Sequence, residues 1–547
     1  MKREEKEDDS FIARLSYNGD NLRQLGKSPI SVPKDPFISS FIPFSGEKVN
    51  PEKFFYSLFF TAFDVRDYGG KIEKFIKIFT PLNLKKIYLE TYRDGFLVDT
   101  NLILDTKKIL EKKGFKVSGA VTTTHLSDKN QFNETSSPAS CYTDKNAKKK
   151  LKEIFEFTAK IFDEIIIDDW YFTLCMCPDC KKAKEKQNWD EFRCKLLYNV
   201  AKKYIIEPAK KINEKVKLII KFPQWYEDFH KSGYDLNRLI YIFDEVAVGT
   251  ETRDYKVQRY MPVHGALLFK YIKNFIPEKV KKAWFDIYIC DEKIFSEQAY
   301  QSVLGGAEEI ILFCAGVLPQ KNNRAIVENL VKNTPKIERL SGFSKIFSIP
   351  ILRKANTEGD YKLHQYFLMI GIPAYLTDNV NFKGKIVILT AQSESKKNYK
   401  KLFFELISNK KNIVMTLNFA KEIKKYFKIK SFENSIKIET VNYNKKEVEV
   451  KDNIFINEEI INGKSVALFN NAYNFISFFK IRESIIWVIN FPFTTDTIIT
   501  PAENKENADY RYLLHNKNMV GAIKDIFKNF ANVNLYEKIK TLYRYEI

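Results

Sequence analysis

Between residues 55 and 315 the sequence passes eight times through one cycle: a short β-branched or aromatic run, a polar loop, then a stretch with helical periodicity. The runs are FYSLFFTAFD (55–64), KIYLET (86–91), FKVSGAVT (115–122), EIIIDD (164–169), KLIIKF (217–222), EVAVGTE (245–251), AWFDIYI (283–289) and EIILFCA (309–315). Strands that alternate with helices pair in parallel, because each return to the sheet needs a crossover. Eight units in about 260 residues fit a closed (β/α)₈ barrel better than an open doubly wound sheet.

At 547 residues the chain is too long for a barrel alone. Residues 1–50 hold Ser-Pro, Val-Pro, Asp-Pro and Ile-Pro steps and read as a tail and an extended arm. The barrel is expected over 51–340. A smaller α/β domain over 341–428 would contain GIPAYL, GKIVILTA and NIVMTL, and a β-rich domain over 429–547 would contain SIKIETV, KEVEVKDNIFI, KSVALF and ESIIWVINF.

Lysine and arginine total 89 against 69 acidic residues, a formal charge of +20. The lysines are spread through amphipathic stretches such as KIEKFIKIF and NAKKKLKEIFEFTAKIF, where they read as solvated helix faces, so nucleic acid is not the expected partner. No apolar run approaches the roughly 20 residues that cross a bilayer, which excludes a membrane partner of that kind. The opening MKREEKEDDS lacks the apolar stretch of a secretory signal, and the expected location is the cytoplasm.

Three of the seven cysteines, Cys175, Cys177 and Cys180, stand together in CMCPDC. A turn of this kind brings three thiolates to one point, and zinc then needs one further ligand, for which Cys141 and Cys194 are the candidates. The odd total and the crowding argue against a disulfide framework. Cys290 and Cys314, on or just after strands seven and eight, read as core packing.

In a (β/α)₈ barrel the reactive groups come from the C-terminal strand ends. Those ends carry Asp64, Glu90, Asp168, Asp169, Glu251 and Asp286, joined by Tyr92, Arg93, His125, Trp170, Trp225, Arg253 and Trp284. A sugar site needs this mixture, since aromatic faces stack on pyranose C–H surfaces while Arg and carboxylates bond hydroxyls. Cleaving a glycosidic bond takes two carboxyl groups, which Asp168 or Asp169 and Glu251 can supply. Adjacent strand residues point to opposite sides, so only one of the two aspartates faces the axis of a regular strand. The simpler alternatives are a helix N-cap or loop salt bridge for the aspartates and an ion pair with Arg253 for Glu251. Neither H-x-H nor H-E-x-x-H, no G-x-S-x-G elbow and no glycine-rich phosphate loop occurs at these strand ends. The residues thus point to a glycosidase acting on a carbohydrate, with an inactive saccharide-binding barrel or assembly subunit as the rival.

The order of a cysteine in SPASCYTD, acids ending strand four and then C-x-C-x-x-C resembles the family 42 β-galactosidases. The resemblance implies a structural zinc held by Cys141, Cys175, Cys177 and Cys180, with Cys194 left free. GIPAYL, GKIVILTAQSES and NIVMTL resemble the flavodoxin-like, amidotransferase-like domain that follows the barrel in that family. This implies a scaffolding role and a homo-oligomer, a dimer or trimer; with no cysteine beyond Cys314 the domain is not a cysteine-dependent amidotransferase. The acids depart from the family: it ends strand four in Asn-Glu and takes a Glu nucleophile from strand seven, where the nearest acids here are Asp286, Asp291 and Glu292. An Asp on strand four with an acid on strand six instead resembles α-galactosidase-type barrels. That likeness implies a retaining mechanism with the Asp as nucleophile and Glu251 as acid/base.

Overall fold

A computed structural model describes residues 54–127, 139–254, 260–340, 348–395, 398–451, 453–494, 516–528 and 530. The expected arm, 1–50, lies outside the described residues. Eight parallel strands follow one another as the cycle requires: β1 (Phe55–Phe60), β2 (Leu84–Arg93), β3 (Lys116–Val121), β4 (Glu164–Ile167), β5 (Lys217–Phe222), β6 (Glu245–Gly249), β7 (Val280–Asp286) and β8 (Glu309–Phe313). Each pairs with its neighbour in sequence, and β1 pairs with both β2 and β8, closing the barrel. A two-residue strand, Phe96–Leu97, folds back antiparallel on the end of β2.

Helices connect the strands; Glu292–Leu304 is buried on all sides from Ile294 onward, whereas others bury a single face. Lys145–Ile161 starts on Asp144, whose side chain accepts the Asn146 N–H, and buries Ala147, Leu151, Ile154, Phe155, Thr158 and Ala159 while its lysines stay in water. It lies so close to β3 that a Cβ at Gly119 would stand 2.7 Å from the Phe162 ring and 2.9 Å from Thr158 Cγ2. Only glycine fits that crossing without displacing the helix.

Inside the barrel, Phe59, Tyr88, Ala120, Ile166, Ile219, Ala247, Trp284 and Ile311 form one apolar layer. Side chains on a strand repeat every two residues on a face, so this layer fixes the phase of the layers below and above it. Below it lie Ser57, Lys86, Ser118, Glu164, Glu245, Lys282 and Glu309. There Lys86 bonds Glu164 at 2.8 Å and Glu309 at 3.0 Å, and Lys282 bonds Glu309 at 3.0 Å and Glu245 at 2.6 Å. Ser57 and Tyr88 donate to Glu309 Oε1, Ser118 joins Lys86 on Glu164 Oε1, and Lys116 donates to Glu164 Oε2 at 2.8 Å. Buried charges persist only when paired in this way, and Lys86 and Lys282 each meet two carboxylates of this floor. Above the apolar layer, in the same phase, come Thr61, Glu90, Thr122, Asp168, Lys221, Gly249, Asp286 and Phe313.

The described residues of 345–547, together with 260–267 between β6 and β7, belong to a second compact unit built on a nine-stranded mixed sheet. Its parallel half is Ala374–Thr377, Ile349–Leu352, Ile386–Leu389, Asn412–Thr416 and Ser484–Ile489 in spatial order. Tyr473–Ile481, Lys464–Phe469, Thr440–Tyr443 and Lys446–Glu449 continue it antiparallel. A small sheet of Ile429–Lys437, Ile454–Ile460 and Phe493–Thr494 stands beside it. The segments on either side of residue 428 therefore share one sheet, joined where Ile413 pairs with Ile486. Among the described residues no helix is long and apolar enough to cross a membrane.

Candidate active site

The upper strand ends collect the charges. Arg93, at the end of β2, donates Nε to Glu90 Oε2 at 2.7 Å and Nη2 to Glu90 Oε1 and Asp168 Oδ2, both at 3.0 Å. Glu90 is fully buried and also accepts the Ala62 N–H at 2.7 Å. The Thr122 hydroxyl contacts Glu90 and, at 3.2 Å, Asp168. Glu90 is thereby occupied on every side and acts as a strut for Arg93.

Strand β4 ends at Ile167. Asp168 stays in phase with Ile166 and faces the axis; its Oδ1 then accepts the Asp169 N–H at 2.7 Å, and the chain turns. The turn brings the second aspartate to the same place, against the alternation of a regular strand. Lys221 Nζ lies 3.6 Å from Asp168 Oδ1, 2.9 Å from Asp169 Oδ2 and 2.8 Å from Glu251 Oε1. The acids of strands four and six thus converge on one buried ammonium, which also stands 4.3 Å above the Trp284 ring. Glu251 Oε2 is buried with no hydrogen-bond partner among the described residues. Arg253 pairs with Asp286 through two donors, Nε to Oδ1 at 3.0 Å and Nη2 to Oδ2.

Lys221 was not among the residues expected from the sequence. Its signal is there: it is two residues from Ile219 in an otherwise apolar run, so it shares the inward phase of that isoleucine.

The environments push these acids apart. Burial raises Asp168, but Lys221 and Arg93 outweigh it and hold the carboxyl down at about 2. Burial also raises Asp169, and the negative charges of Asp168 and Glu251 add to the rise, so it lies well above the usual carboxylate range. Glu251 is raised by burial, with Asp286 reinforcing the shift and Lys221 opposing it. Three cations, Lys221, Arg93 and Arg253, face five carboxyls, Glu90, Asp168, Asp169, Glu251 and Asp286. Negative charge therefore crowds this buried mouth, and burial together with the neighbouring carboxylates is what raises Asp169 and Glu251.

Other expected residues lie around this centre. Asp64 sits in the first turn of the helix Ala62–Tyr68 and closes a capping box with Thr61. It presses on the loop after β8, where a Cβ at Gly316 would fall 1.8 Å from its Oδ1. Tyr92 donates its hydroxyl to the carbonyls of Thr124 and His125 at 3.1 and 2.8 Å and braces that loop outside the acid cluster. His125 is exposed, with φ +46° and Nε2 4.0 Å from Asp94 Oδ1. Trp170 and Trp225 flank Phe172, ring centroids 5.5 and 6.0 Å away, and the buried Trp225 indole N–H has no partner among the described residues. Tyr288, just past β7, was not expected; it is 44% exposed and its ring meets Phe313, which Arg93 overlies.

Cys141, Cys175, Cys177 and Cys180 form a buried cluster whose sulfurs all lie within 4.8 Å of one another. Cys177 caps the helix Pro178–Lys184 by accepting the Cys180 N–H, which places two of the sulfurs. Cys141 Sγ is 3.6 Å from Cys180 Sγ and 3.9 Å from Cys177 Sγ, and no disulfide links the four. Sulfurs about 2.3 Å from a tetrahedral zinc stand close to 3.8 Å apart, so the cluster has the dimensions of a metal centre. Cys194 lies elsewhere, its Sγ directed at the His230 carbonyl 3.6 Å away. The cluster joins the loops after β3 and β4, and hydrogen bonds beside it fix the same loops: Tyr142 donates to Thr123 Oγ1 at 2.9 Å, Thr123 Oγ1 to the Trp170 carbonyl at 3.0 Å, and Tyr234 to the Asp169 carbonyl at 2.9 Å.

Residues 47–332 match the profile of a family described as "Probable glycosyl hydrolase, catalytic domain". The chain is 29% identical over 389 residues to the uncharacterized protein SSO3021 of Saccharolobus solfataricus, an alignment that spans 64% of this chain and 64% of that protein. Among solved structures, the exo-beta-1,4-mannosidase Op5Man5 from Opitutaceae bacterium strain TAV5 aligns with 92% of this chain and 99% of its own at a TM-score of 0.50. At 8% identity that likeness concerns the fold alone.

Proposed function

The chain belongs to the family of probable glycosyl hydrolase catalytic domains, and from that premise we propose that it is a retaining glycosidase in which Asp168 attacks the anomeric carbon and Glu251 serves as acid and base. The observation that carries this reading is the convergence of Asp168, Asp169 and Glu251 on one point with opposed protonation tendencies. A glycosidase needs one carboxylate kept ionised to attack and one carboxylic acid kept protonated to release the leaving group. Asp168, held low by two cations, suits the first task; Glu251, raised by burial and with Oε2 lacking a hydrogen bond among the described residues, suits the second.

Glu251 and Asp168 reach one nitrogen, at 2.8 and 3.6 Å, so the two carboxyls stand side by side, as a nucleophile and an acid acting on one anomeric carbon require. In the first half-reaction an Asp168 oxygen bonds the anomeric carbon as the glycosidic C–O bond breaks and Glu251 protonates the leaving oxygen. In the second, Glu251 takes a proton from water, which attacks the same carbon and frees Asp168. Asp169 orients the pair and is the alternative proton donor. Trp170, Trp225 and Tyr288 would supply the faces for sugar rings.

The cysteine cluster is read as a zinc site, on its four thiols, their burial and their spacing. Bound zinc would cross-link the loops after β3 and β4, and so hold the backbone carrying Asp168 and Asp169; it has no part in the bond-breaking steps. The unit beyond the barrel is assigned a scaffolding role, in a dimer or trimer measurable by light scattering. The test of the reaction is to screen the full chain against chromogenic α- and β-glycosides and to follow the first-formed anomer by proton NMR. Retention of configuration is expected; inversion would reject the mechanism, and binding of saccharide without turnover would favour an inactive binding barrel.

A further inference from the structure

The proposed reaction moves a negative charge from one carboxyl to another, and the geometry points to Lys221 as the positioning residue that balances it at both ends. Among the described residues its ammonium is the one cation in contact with Asp168, Asp169 and Glu251 together, at 3.6, 2.9 and 2.8 Å, and its side chain is 3% exposed. The inference rests on the glycosidase reading and goes beyond it, since that reading needs only the two acids.

The charge balance is explicit. Before reaction Asp168 is a carboxylate and Glu251 carries a proton. As the Asp168–carbon bond forms and the glycosidic bond breaks, Asp168 becomes a neutral ester, and Glu251, having lost its proton to the leaving oxygen, becomes the carboxylate. The negative charge has moved from one neighbour of Lys221 to another. A fixed ammonium that touches both stabilises each state without reorganising, which is how preorganised charge lowers a barrier in a buried site. The ring of Trp284 beneath the ammonium and the apolar layer below prevent it from following either partner.

The floor of the same barrel shows what a purely structural network looks like. There both oxygens of Glu164 and both of Glu309 are hydrogen-bonded to lysines, serines or Tyr88, and Glu245 Oε2, which has no hydrogen bond among the described residues, is still met by Lys282 at 2.6 Å. Around Lys221 the network is unfinished, since Glu251 Oε2 has no partner among the described residues and Asp169 is 13% exposed. The charged groups next to this centre are Arg93 with Glu90 on the β2 side and Arg253 with Asp286 on the β6 and β7 side; both arginines are already paired.

The experiment compares the wild type with Lys221→Met and Lys221→Arg, each checked for folding by its thermal midpoint, and records kcat and KM across pH on the best glycoside. Lys221→Met should lose about 100-fold or more in kcat with KM within about threefold, and its acidic limb should move to higher pH. Lys221→Arg should keep the wild-type limb. A Met variant with kcat within threefold of wild type, or one that loses activity with both limbs unmoved, would overturn the inference while leaving the glycosidase reading intact. Should the Met variant fail to fold, a shifted limb in Lys221→Arg overturns it and an unshifted one supports it. If the wild type cleaves no glycoside, the reading fails, and carboxyl ¹³C titration decides the electrostatic claim separately. The Asp168 signal must titrate higher in Lys221→Met than in wild type, and equal titration would reject the role.

Discussion

Asp168 and Arg93 meet at 3.0 Å across the barrel mouth, the carboxylate from the end of β4 and the guanidinium from the end of β2. Arg93 is itself locked by two bonds to the buried Glu90, so the position and charge of Asp168 are set by a side chain that cannot swing away. Arg93→Gln strands two buried carboxyls. We expect it to lower the unfolding free energy by about 3–5 kcal/mol at neutral pH, read from urea melts. Stability equal to wild type would show that the pair contributes nothing.

The sign of the pH dependence follows from the same contact. Asp168 is depressed to about 2 in the folded protein, against an unfolded value near 3.9. Its stabilising contribution is therefore fully present above about pH 4 and is lost as the pH falls through its folded value. Thermal midpoints across pH 2–7 should fall less steeply in Asp168→Asn than in wild type at the acid end. Parallel curves would contradict the depressed value.

The floor network makes a stability prediction free of catalysis. Glu164 and Glu309 are both lowered: burial opposes ionisation, but Lys86 and Lys282 outweigh it. Their contribution is present above an unfolded value of about 4.3 and disappears as the pH drops further. Glu309→Gln leaves two lysines short of a partner and should cost about 3–5 kcal/mol in urea melts, without changing KM in whatever fraction remains folded. A changed KM at full stability would place this layer in the active site.

Metal content separates the cysteines. The purified chain should carry one zinc by mass spectrometry of the ash, and Cys141→Ser or Cys180→Ser should lose it. Both should then melt at lower temperature, since a ligand at a hundredfold its dissociation constant stabilises by about 2.7 kcal/mol. Cys194→Ser should keep the metal. Equal zinc in all three variants would remove the cluster from metal binding.

Tyr288 tests the aromatic wall. Stacking is worth about 0.5–1.5 kcal/mol, so Tyr288→Ala should raise KM by up to about tenfold and leave kcat within about twofold. An unchanged KM would exclude contact with the sugar.

The barrel was legible because each strand is a compact apolar run and each helix carries its own period, so local pattern and global fold agree. The cysteine turn was legible for the same local reason. The charged layers were harder to read. Lys86, Glu164, Lys282 and Glu309 stand near the starts of their runs, where a charge reads as a solvated strand end; only closure of the barrel turns them inward. Lys221 resembles a boundary lysine until its phase is counted from Ile219. Arg253, two residues from Glu251, reaches Asp286, a contact between strands six and seven that no local pattern encodes. The Asp168–Asp169 alternation failed at the turn after Ile167. Beyond the barrel, the pairing of Ile413 with Ile486 spans a long stretch of chain, so the shared sheet has no local signature.

The most direct test is the hydrolysis rate of the best chromogenic glycoside by wild type, Asp168→Asn and Glu251→Gln, all verified as folded. The account predicts turnover by the wild type and a loss of at least about 1000-fold in each variant, as removing a nucleophile or an acid/base requires. Rates in both variants within threefold of wild type would contradict it.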